Sequence, residues 1–118
     1  MHKNIVTFLY HEVCNDPNST GFLRRSNLPY KHKEEEFIKN IEAIKETQII
    51  PTTIDKIDEV SENHKIMLTF DDGGKSAMHI ADVLDKYNWL GHFFITTSMI
   101  GETTFLDKSN IKELFKRG

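Results

Sequence analysis

Short apolar runs alternate with helix-patterned segments along this chain. Residues 4–10, 65–70 and 92–97 are rich in β-branched, aliphatic and aromatic side chains, which is typical of buried strands. Residues 34–47 and 75–88 instead repeat their apolar side chains at the three- and four-residue spacing of an amphipathic helix. Strands that alternate with helices predict an α/β fold, in which right-handed βαβ units build a parallel sheet.

The remaining segments are less regular. Residues 14–33 show little periodicity and predict a long loop, which in a compact domain is usually functional or mobile. We expect a short strand at residues 48–50, a helical turn within residues 52–60, and a last helix that begins at Asp107 or Ser109. The buried stripe of the first helix is predicted to consist of Phe37, Ile41, Ile44 and Gln48.

The run at residues 65–70 ends in two adjacent carboxylates, Asp71 and Asp72, which are followed by Gly73 and Gly74. In parallel α/β sheets, binding and chemistry occur at the carboxyl ends of the strands. Two neighbouring negative charges need compensation by a cation, a shared proton or water. A divalent metal is the compensation that also yields chemistry, because one aspartate binds it while the other acts on metal-bound water. The alternative is a solvated Asp-Gly turn whose aspartate caps the next helix.

Length and composition restrict the class of protein. The chain has 118 residues, one small domain at most, and its 38% hydrophobic and 28% charged residues are typical of a globular protein rather than a disordered one. A net charge of −3, without a run of Lys or Arg, argues against nucleic acid as the main partner. The single cysteine, Cys14, excludes an internal disulfide and a multi-cysteine metal cluster.

No membrane span is predicted, because no apolar run approaches the length that a bilayer requires. The apolar run within residues 1–10 is too short for the core of a signal peptide and lacks a small-residue cleavage site. The protein is therefore expected to be cytoplasmic or to have lost a leader.

Four motifs follow one another along the chain. Residues 10–13 read YHEV, residues 69–73 read TFDDG, residues 93–101 begin with FFI and end with IG, and residues 106–118 form the last predicted helix. In this order they resemble the polysaccharide deacetylase family, with its NodB-homology domain. In that family a YH-x-V start, a first motif TFDDG, an FFV…IG stretch and a helix precede the second motif.

The resemblance implies a fold and an activity. The family fold is a distorted (β/α) barrel, usually of seven strands, and its members remove acetyl groups from N-acetylated or O-acetylated sugars. By resemblance, Asp71 would be the general base and Asp72 a ligand of a divalent metal, typically zinc. His11, Gly73 and Gly74 would line the site, and the partner would be an acetylated carbohydrate.

The chain also departs from the family pattern. The second motif, a pair of histidines that supplies two of three metal ligands, would come a few residues after Gly118. Residues 1–118 are therefore predicted to be a single partial domain, truncated before the second metal-binding motif and inactive by itself. Gly74 also stands where an aromatic residue or proline is frequent.

A second interpretation belongs to a different functional class. The chain would be a catalytically dead fragment that serves as a carbohydrate-binding or assembly module, with or without self-association through an open sheet edge at its C-terminal end. The candidate sugar platforms of such a module are the aromatic side chains of Trp89, Tyr87 and Phe105, although packing is the favoured interpretation for Trp89.

The chain contains six histidines, each a candidate for an additional ligand. His11 follows the first strand and is expected at the same sheet end as Asp71, more as a loop histidine that packs the barrel mouth than as a metal ligand. His92 begins a predicted strand and is expected at the opposite end, and His79 on the outer face of a helix. The terminal or loop positions are those of His2, His32 and His64.

Overall fold

The computed structural model describes residues 4–118, so that His2 lies outside the described residues. Its strands are β1 (Asn4–Tyr10), β2 (Glu12–Val13), β3 (Lys31–His32), β4 (His64–Phe70) and β5 (His92–Phe93). Its α-helices are α1 (Glu34–Glu46), α2 (Ser76–Lys86) and α3 (Lys108–Lys116). Short 3-10 helices span Arg25–Tyr30, Ile54–Lys56 and Thr97–Met99.

The central sheet is parallel, which confirms the α/β prediction. Its order is β1-β4-β5, and β4 lies in the middle. Tyr10 pairs with Phe70 and Phe70 with Phe93, so the three strands end level with one another. A second, two-stranded parallel sheet joins β2 to β3. Residues 14–33, predicted as a loop, thus return through a 3-10 helix to pair with the chain just after β1.

Helices α1 and α2 bury the faces that their sequence patterns predict. Phe37, Ile41 and Ile44 of α1 are buried in the same core cluster as Ile80 and Leu84 of α2. This cluster also includes buried side chains of the middle strand β4. Apolar surface that β4, α1 and α2 bury together therefore stabilises the described core.

The first helix ends within one residue of its predicted end at Thr47, but the predicted buried stripe was wrong at Gln48. This residue is exposed and adopts a left-handed backbone with φ of 61°. Its turn leads the chain away from the helix, so the predicted stripe stops at Ile44, and residues 48–50 form a turn and an extended segment rather than a strand.

The burial predicted for the first strand was also wrong. Four apolar side chains of β1 are between 38% and 56% exposed: Ile5, Val6, Phe8 and Leu9. The reason is position, because β1 is an edge strand of the described sheet whereas β4 lies between two strands. β5 forms the other edge, so both edges of the described sheet are open, and not only the one expected at the C-terminal end.

The third predicted strand is shorter than expected, since β5 contains only His92 and Phe93. Beyond Phe93, single hydrogen bonds continue the association: the amide of Phe94 donates to Phe70 O at 2.9 Å, and that of Thr96 donates to Asp72 O at 3.2 Å. The segment therefore follows the turn after β4 instead of extending as a strand.

Helix α3 begins where one of the two predicted caps stands. The Asp107 carboxylate accepts from the amide of Asn110 at 2.8 Å, and the Asn110 side chain accepts from the amide of Asp107 at 3.0 Å, which forms a capping box. At the other end, Arg117 binds Asp82 and Asp85 of α2. Charged contacts thus join α3 to α2, while Phe115 is 86% exposed.

Within residues 4–118, the longest helices fall well short of the length and apolar character that crossing a bilayer demands.

The contrast between β4 and β1 predicts unequal costs for truncating a leucine. Leu68 is completely buried, so Leu68→Ala should lower the free energy of unfolding by about 2–5 kcal/mol through lost burial and a residual cavity. Leu9 is 56% exposed, and the matched change Leu9→Ala should cost less than about 1 kcal/mol. Urea unfolding followed by circular dichroism measures both, and equal costs would contradict the burial of β4 relative to β1.

Candidate active site

The parallel register brings His11 and Asp71 together. Tyr10 pairs with Phe70, and the amide of Asp71 donates to Tyr10 O at 2.8 Å, which extends the ladder by one residue. His11 Nε2 lies 4.0 Å from Asp71 Oδ2, with the two side chains 21% and 32% exposed. His11 therefore lies at the same sheet end as Asp71, as predicted, and both reach solvent.

A row of aromatic rings supports this edge from the other face of the sheet. Tyr10 and Phe70 are buried with ring centroids 5.7 Å apart, and Phe70 and Phe93 have centroids 5.0 Å apart. Successive side chains of a strand point to opposite faces. The next residues, His11 and Asp71, consequently project to the face that lies away from this row.

The turn after β4 holds the second carboxylate in an uncommon backbone conformation. Asp72 has φ of 81° and Gly73 has φ of 73°, and the left-handed region costs a residue other than glycine of the order of 1 kcal/mol. Hydrogen bonds fix the turn from both sides, because Asp72 O accepts from the amide of Thr96 and Gly73 O accepts from that of Leu106 at 3.0 Å. A Cβ on Gly73 would also approach Ile95 to 3.2 Å.

A buried carboxylate, Glu12, underlies this turn. It is only 2% exposed, and its Oε1 accepts from Thr20 Oγ1 at 2.7 Å and from Ser76 Oγ at 3.0 Å. Thr20 Oγ1 in turn accepts from the amide of Ser76 at 2.7 Å. One side chain therefore connects the segment after β1, the residue 14–33 excursion and the start of α2.

Glu12 was missed as a site residue at the sequence level. The YHEV motif placed it directly after a strand, but its partners Thr20 and Ser76 lie 8 and 64 residues away in the chain. Only the fold brings them together. The available signal was an acidic residue inside a run that is otherwise suited to burial.

The environment of Glu12 favours its neutral form. Burial raises the pKa of Glu12 from its ordinary value of 4.5 to about 6. The hydrogen bonds from Thr20 and Ser76 oppose this effect, and the nearby negative charge of Asp72 adds to it. Glu12 Oε2 is buried and accepts no hydrogen bond from any residue that the structure describes.

Glu12 also explains why position 74 carries a glycine. A Cβ built on Gly74 would lie 1.9 Å from Glu12 Oε1, much closer than any contact that real Cβ atoms make. The Glu12 carboxyl thus fills the space that a side chain at position 74 would need. The departure from the family pattern at Gly74 therefore has a structural reason, because the buried Glu12 leaves no room for a side chain there.

The side chains at this edge are of the types that bind a divalent metal, namely carboxylate oxygens and an imidazole nitrogen. Within residues 4–118, however, no three His, Cys, Asp or Glu side chains converge closely enough to hold an ion. The described residues therefore do not fit a complete catalytic metal site, for which three protein ligands are usual.

The other histidines lie away from the pair formed by His11 and Asp71. The prediction for His92 was wrong in register, because its backbone pairs with Thr69 near the carboxyl end of β4 rather than at the opposite end. Its ring contacts Leu68 O at 3.0 Å and accepts from the amide of Ile54 at 2.9 Å. His79 lies on the exposed face of α2, as predicted, 3.0 Å from Glu34 Oε1.

Two histidines assigned to termini or loops belong to strands instead. His32 ends β3 and pairs with Val13, while His64 begins β4 and pairs with Asn4. Neither pairing was visible in the local sequence pattern, because it depends on distant segments.

Most of the aromatic residues that were considered as sugar platforms are packed inside the protein. Trp89 and Phe105 are only 6% and 3% exposed, and the Tyr87 ring packs on Trp89 with centroids 4.9 Å apart. A different aromatic residue, Tyr30, contacts the candidate site instead. Its ring centroid lies 4.9 Å from that of His11.

Comparisons with known proteins agree with this geometry. The sequence model of the polysaccharide deacetylase family matches residues 58–118, which include β4, the acidic turn and α2. No curated protein matches the chain in sequence.

Solved structures with the same fold come from several bacteria. IcaB from Ammonifex degensii superposes with a TM-score of 0.78 at 21% identity, and a polysaccharide deacetylase from Bacillus cereus with 0.76 at 17%. A de-N-acetylase from Aggregatibacter actinomycetemcomitans gives 0.77 at 16% identity. These matches cover 100%, 97% and 95% of this chain but only 52%, 36% and 50% of the three solved chains.

The fold prediction is thereby confirmed. Parallel strands that alternate with helices form part of the deacetylase type of (β/α) barrel, and the chain spans about half the length of the IcaB structure that it matches.

The buried state of Glu12 predicts a pH-dependent stability. A folded-state pKa above the ordinary value means that the contribution is fully present below about pH 4.5 and is lost as the pH rises through about 6. The loss should be about 2 kcal/mol for a pKa that is raised from 4.5 to about 6. Urea unfolding between pH 4 and about pH 7 measures it.

The matched variants separate Glu12 from the remaining carboxylates. Glu12→Gln should flatten this part of the pH profile, whereas the exposed control Glu62→Gln should keep it. An unchanged slope in Glu12→Gln would show that the Glu12 carboxyl is not the group that titrates.

The contact between Gly74 and Glu12 predicts energetic coupling. Gly74→Ala should lower the free energy of unfolding by about 1–3 kcal/mol, because the added methyl group collides with a buried carboxyl. In a Glu12→Ala background the same change should cost much less, and the double-mutant cycle measures the difference. Additive costs would contradict a direct steric contact.

Proposed function

Because this chain belongs to the polysaccharide deacetylase family, we propose that it provides the acidic part of a hydrolase that removes acetyl groups from N-acetylated or O-acetylated sugars of a polysaccharide. Asp71 is the general base, and Asp72 is a ligand of a divalent metal, with zinc the expected ion. The observation that carries the proposal is the Asp71–Asp72 pair at the carboxyl end of β4, beside His11.

The residues of this chain suit the proton transfer that deacetylation requires. Water attacks the acetyl carbonyl carbon, and the Asp71 carboxylate accepts the proton that this water loses. When the C–N bond of an N-acetyl group breaks, the departing nitrogen takes up a proton from solvent, so that acetate and an amine are left. The His11 ring, 4.0 Å from Asp71 Oδ2, helps to orient the carboxylate. A bound divalent metal would lower the pKa of a water and polarise the acetyl carbonyl.

Asp72 is suited to a role distinct from that of its neighbour. Its backbone is left-handed, with φ of 81°, whereas Asp71 continues the ladder of β4 with β1. One carboxylate can then bind a cation while the other acts on water. As the only ligand that the family resemblance assigns within the described residues, Asp72 would need further protein ligands for a catalytic site.

A second candidate function is supported by the exposed apolar side chains of β1. An unpaired edge strand with half-exposed Ile5, Val6 and Leu9 is suited to association with another chain. In this reading the 118-residue chain is catalytically dead and acts as a carbohydrate-binding or assembly module. The two functions differ in their need for a metal.

Metal content separates the two readings. We expect the 118-residue chain to bind zinc weakly and below stoichiometry, and a version extended past Gly118 to include a histidine pair to bind it stoichiometrically. Asp72→Ala should abolish the stoichiometric binding. Asp71→Asn should retain the metal and lower kcat for deacetylation by about 10²–10⁴-fold, the usual contribution of a general base.

Plasma emission spectrometry and acetate release measure these outcomes, with the exposed Asp58→Asn as the control. Tight stoichiometric zinc in the 118-residue chain, lost in Asp72→Ala, would overturn the incomplete-site part of the proposal. A longer version that binds no metal and releases no acetate would favour the module.

A further inference from the structure

Tyr30 lies one side chain away from the proposed base. Its ring centroid is 4.9 Å from that of His11, with the two planes inclined by 47°. His11 Nε2 is in turn 4.0 Å from Asp71 Oδ2. The residue 14–33 excursion therefore returns to the sheet end that carries the acidic pair and places an aromatic ring beside it.

The backbone of Tyr30 is held firmly on both sides. Tyr30 ends a 3-10 helix that contains Pro29, and the next residue, Lys31, pairs with Glu12 in the ladder between β2 and β3. The Lys31 ammonium group donates to Thr20 O at 2.9 Å and also to Pro17 O. The ring thus starts from a fixed position rather than from a free loop.

Much of the Tyr30 side chain nevertheless faces solvent. It is 51% exposed, whereas Tyr10, which packs in the core, is 5% exposed. Leu28 of the same 3-10 helix is 45% exposed. The Tyr30 ring is therefore accessible to a ligand that approaches His11 and Asp71.

We propose that Tyr30 is a stacking surface for a pyranose ring of the acetylated polysaccharide, adjacent to the sugar whose acetyl group reaches Asp71. This inference rests on the proposed function. It places the chain of sugars on the side of the site where Tyr30 contacts His11. One face of a pyranose presents C–H groups to an aromatic ring, while its hydroxyl groups stay hydrated at the rim. A tyrosine is suited to this contact because it combines an apolar ring with a polar tip.

Binding of a neutral oligosaccharide tests the proposal without any need for catalysis. The probe is tetra-N-acetylchitotetraose, titrated into the 118-residue chain and followed by protein-observed NMR. Tyr30→Ala should raise the dissociation constant about fivefold, in line with the energy of one aromatic contact. Tyr30→Phe keeps the ring and should bind within about twofold of the unchanged chain.

Two further variants make the result specific. Phe115→Ala removes another exposed aromatic ring, on α3, and should leave sugar binding unchanged. Asp71→Asn should also retain binding. In the version extended past Gly118, undiminished acetate release by Asp71→Asn would count against the proposed base and not against Tyr30. Thermal melting of every variant verifies that the fold is intact.

The outcomes divide cleanly. A defect in Tyr30→Ala that Tyr30→Phe does not share supports the stacking surface, whether or not any variant releases acetate. Equal binding by Tyr30→Ala and the unchanged chain, an equal defect in Phe115→Ala, or no binding of the oligosaccharide by the unchanged chain would each overturn it.

Discussion

The in-register pairing of β1 with β4 is the constraint on which the rest of this structure depends. Because Tyr10 lies opposite Phe70, the residues that follow both strands emerge at one level, and the ladder continues through the bond from Asp71 N to Tyr10 O. A shift of β4 by one residue would turn Asp71 toward the face that carries the aromatic row, while His11 would stay on the opposite face. The stacked rings of Tyr10, Phe70 and Phe93 stabilise the present register.

The buried side chain of Glu12 is a second constraint, and it acts on the turn at residues 72–74. Glu12 connects three segments through Thr20 and Ser76, and its carboxyl occupies the space beside Gly74. A buried carboxyl with one unpartnered oxygen destabilises a fold unless it is protonated or compensated. The hydrogen bonds of Glu12 explain why a carboxyl stands here, because no apolar side chain would bind the hydroxyl groups of Thr20 and Ser76 and fix the start of α2.

The sequence patterns predicted the helices and strands better than they predicted the exposure and the long-range contacts of individual side chains. Local sequence patterns were sufficient for α1, α2 and the strand that precedes Asp71. The cap at Asp107 is also local, because its capping box joins residues three positions apart. The exposure of β1 was not predictable, because the apolar run at residues 4–10 does not indicate whether the strand lies at an edge or in the middle of the sheet. Glu12 and Tyr30 escaped notice since their contacts depend on where residues 14–33 return to the sheet, which no local signal contains.

Backbone hydrogen bonds within the protein hold the segment that carries the acidic pair. Asp71 is held by its backbone bond to β1, and the left-handed turn at Asp72 is held by hydrogen bonds from Thr96 and Leu106 to the carbonyls of residues 72 and 73. A site that is rigid before it binds loses less entropy when the ligand arrives. The left-handed backbone at Asp72 is strained, and the hydrogen bonds of this segment hold it in place. A cation that binds there would therefore find the turn already formed.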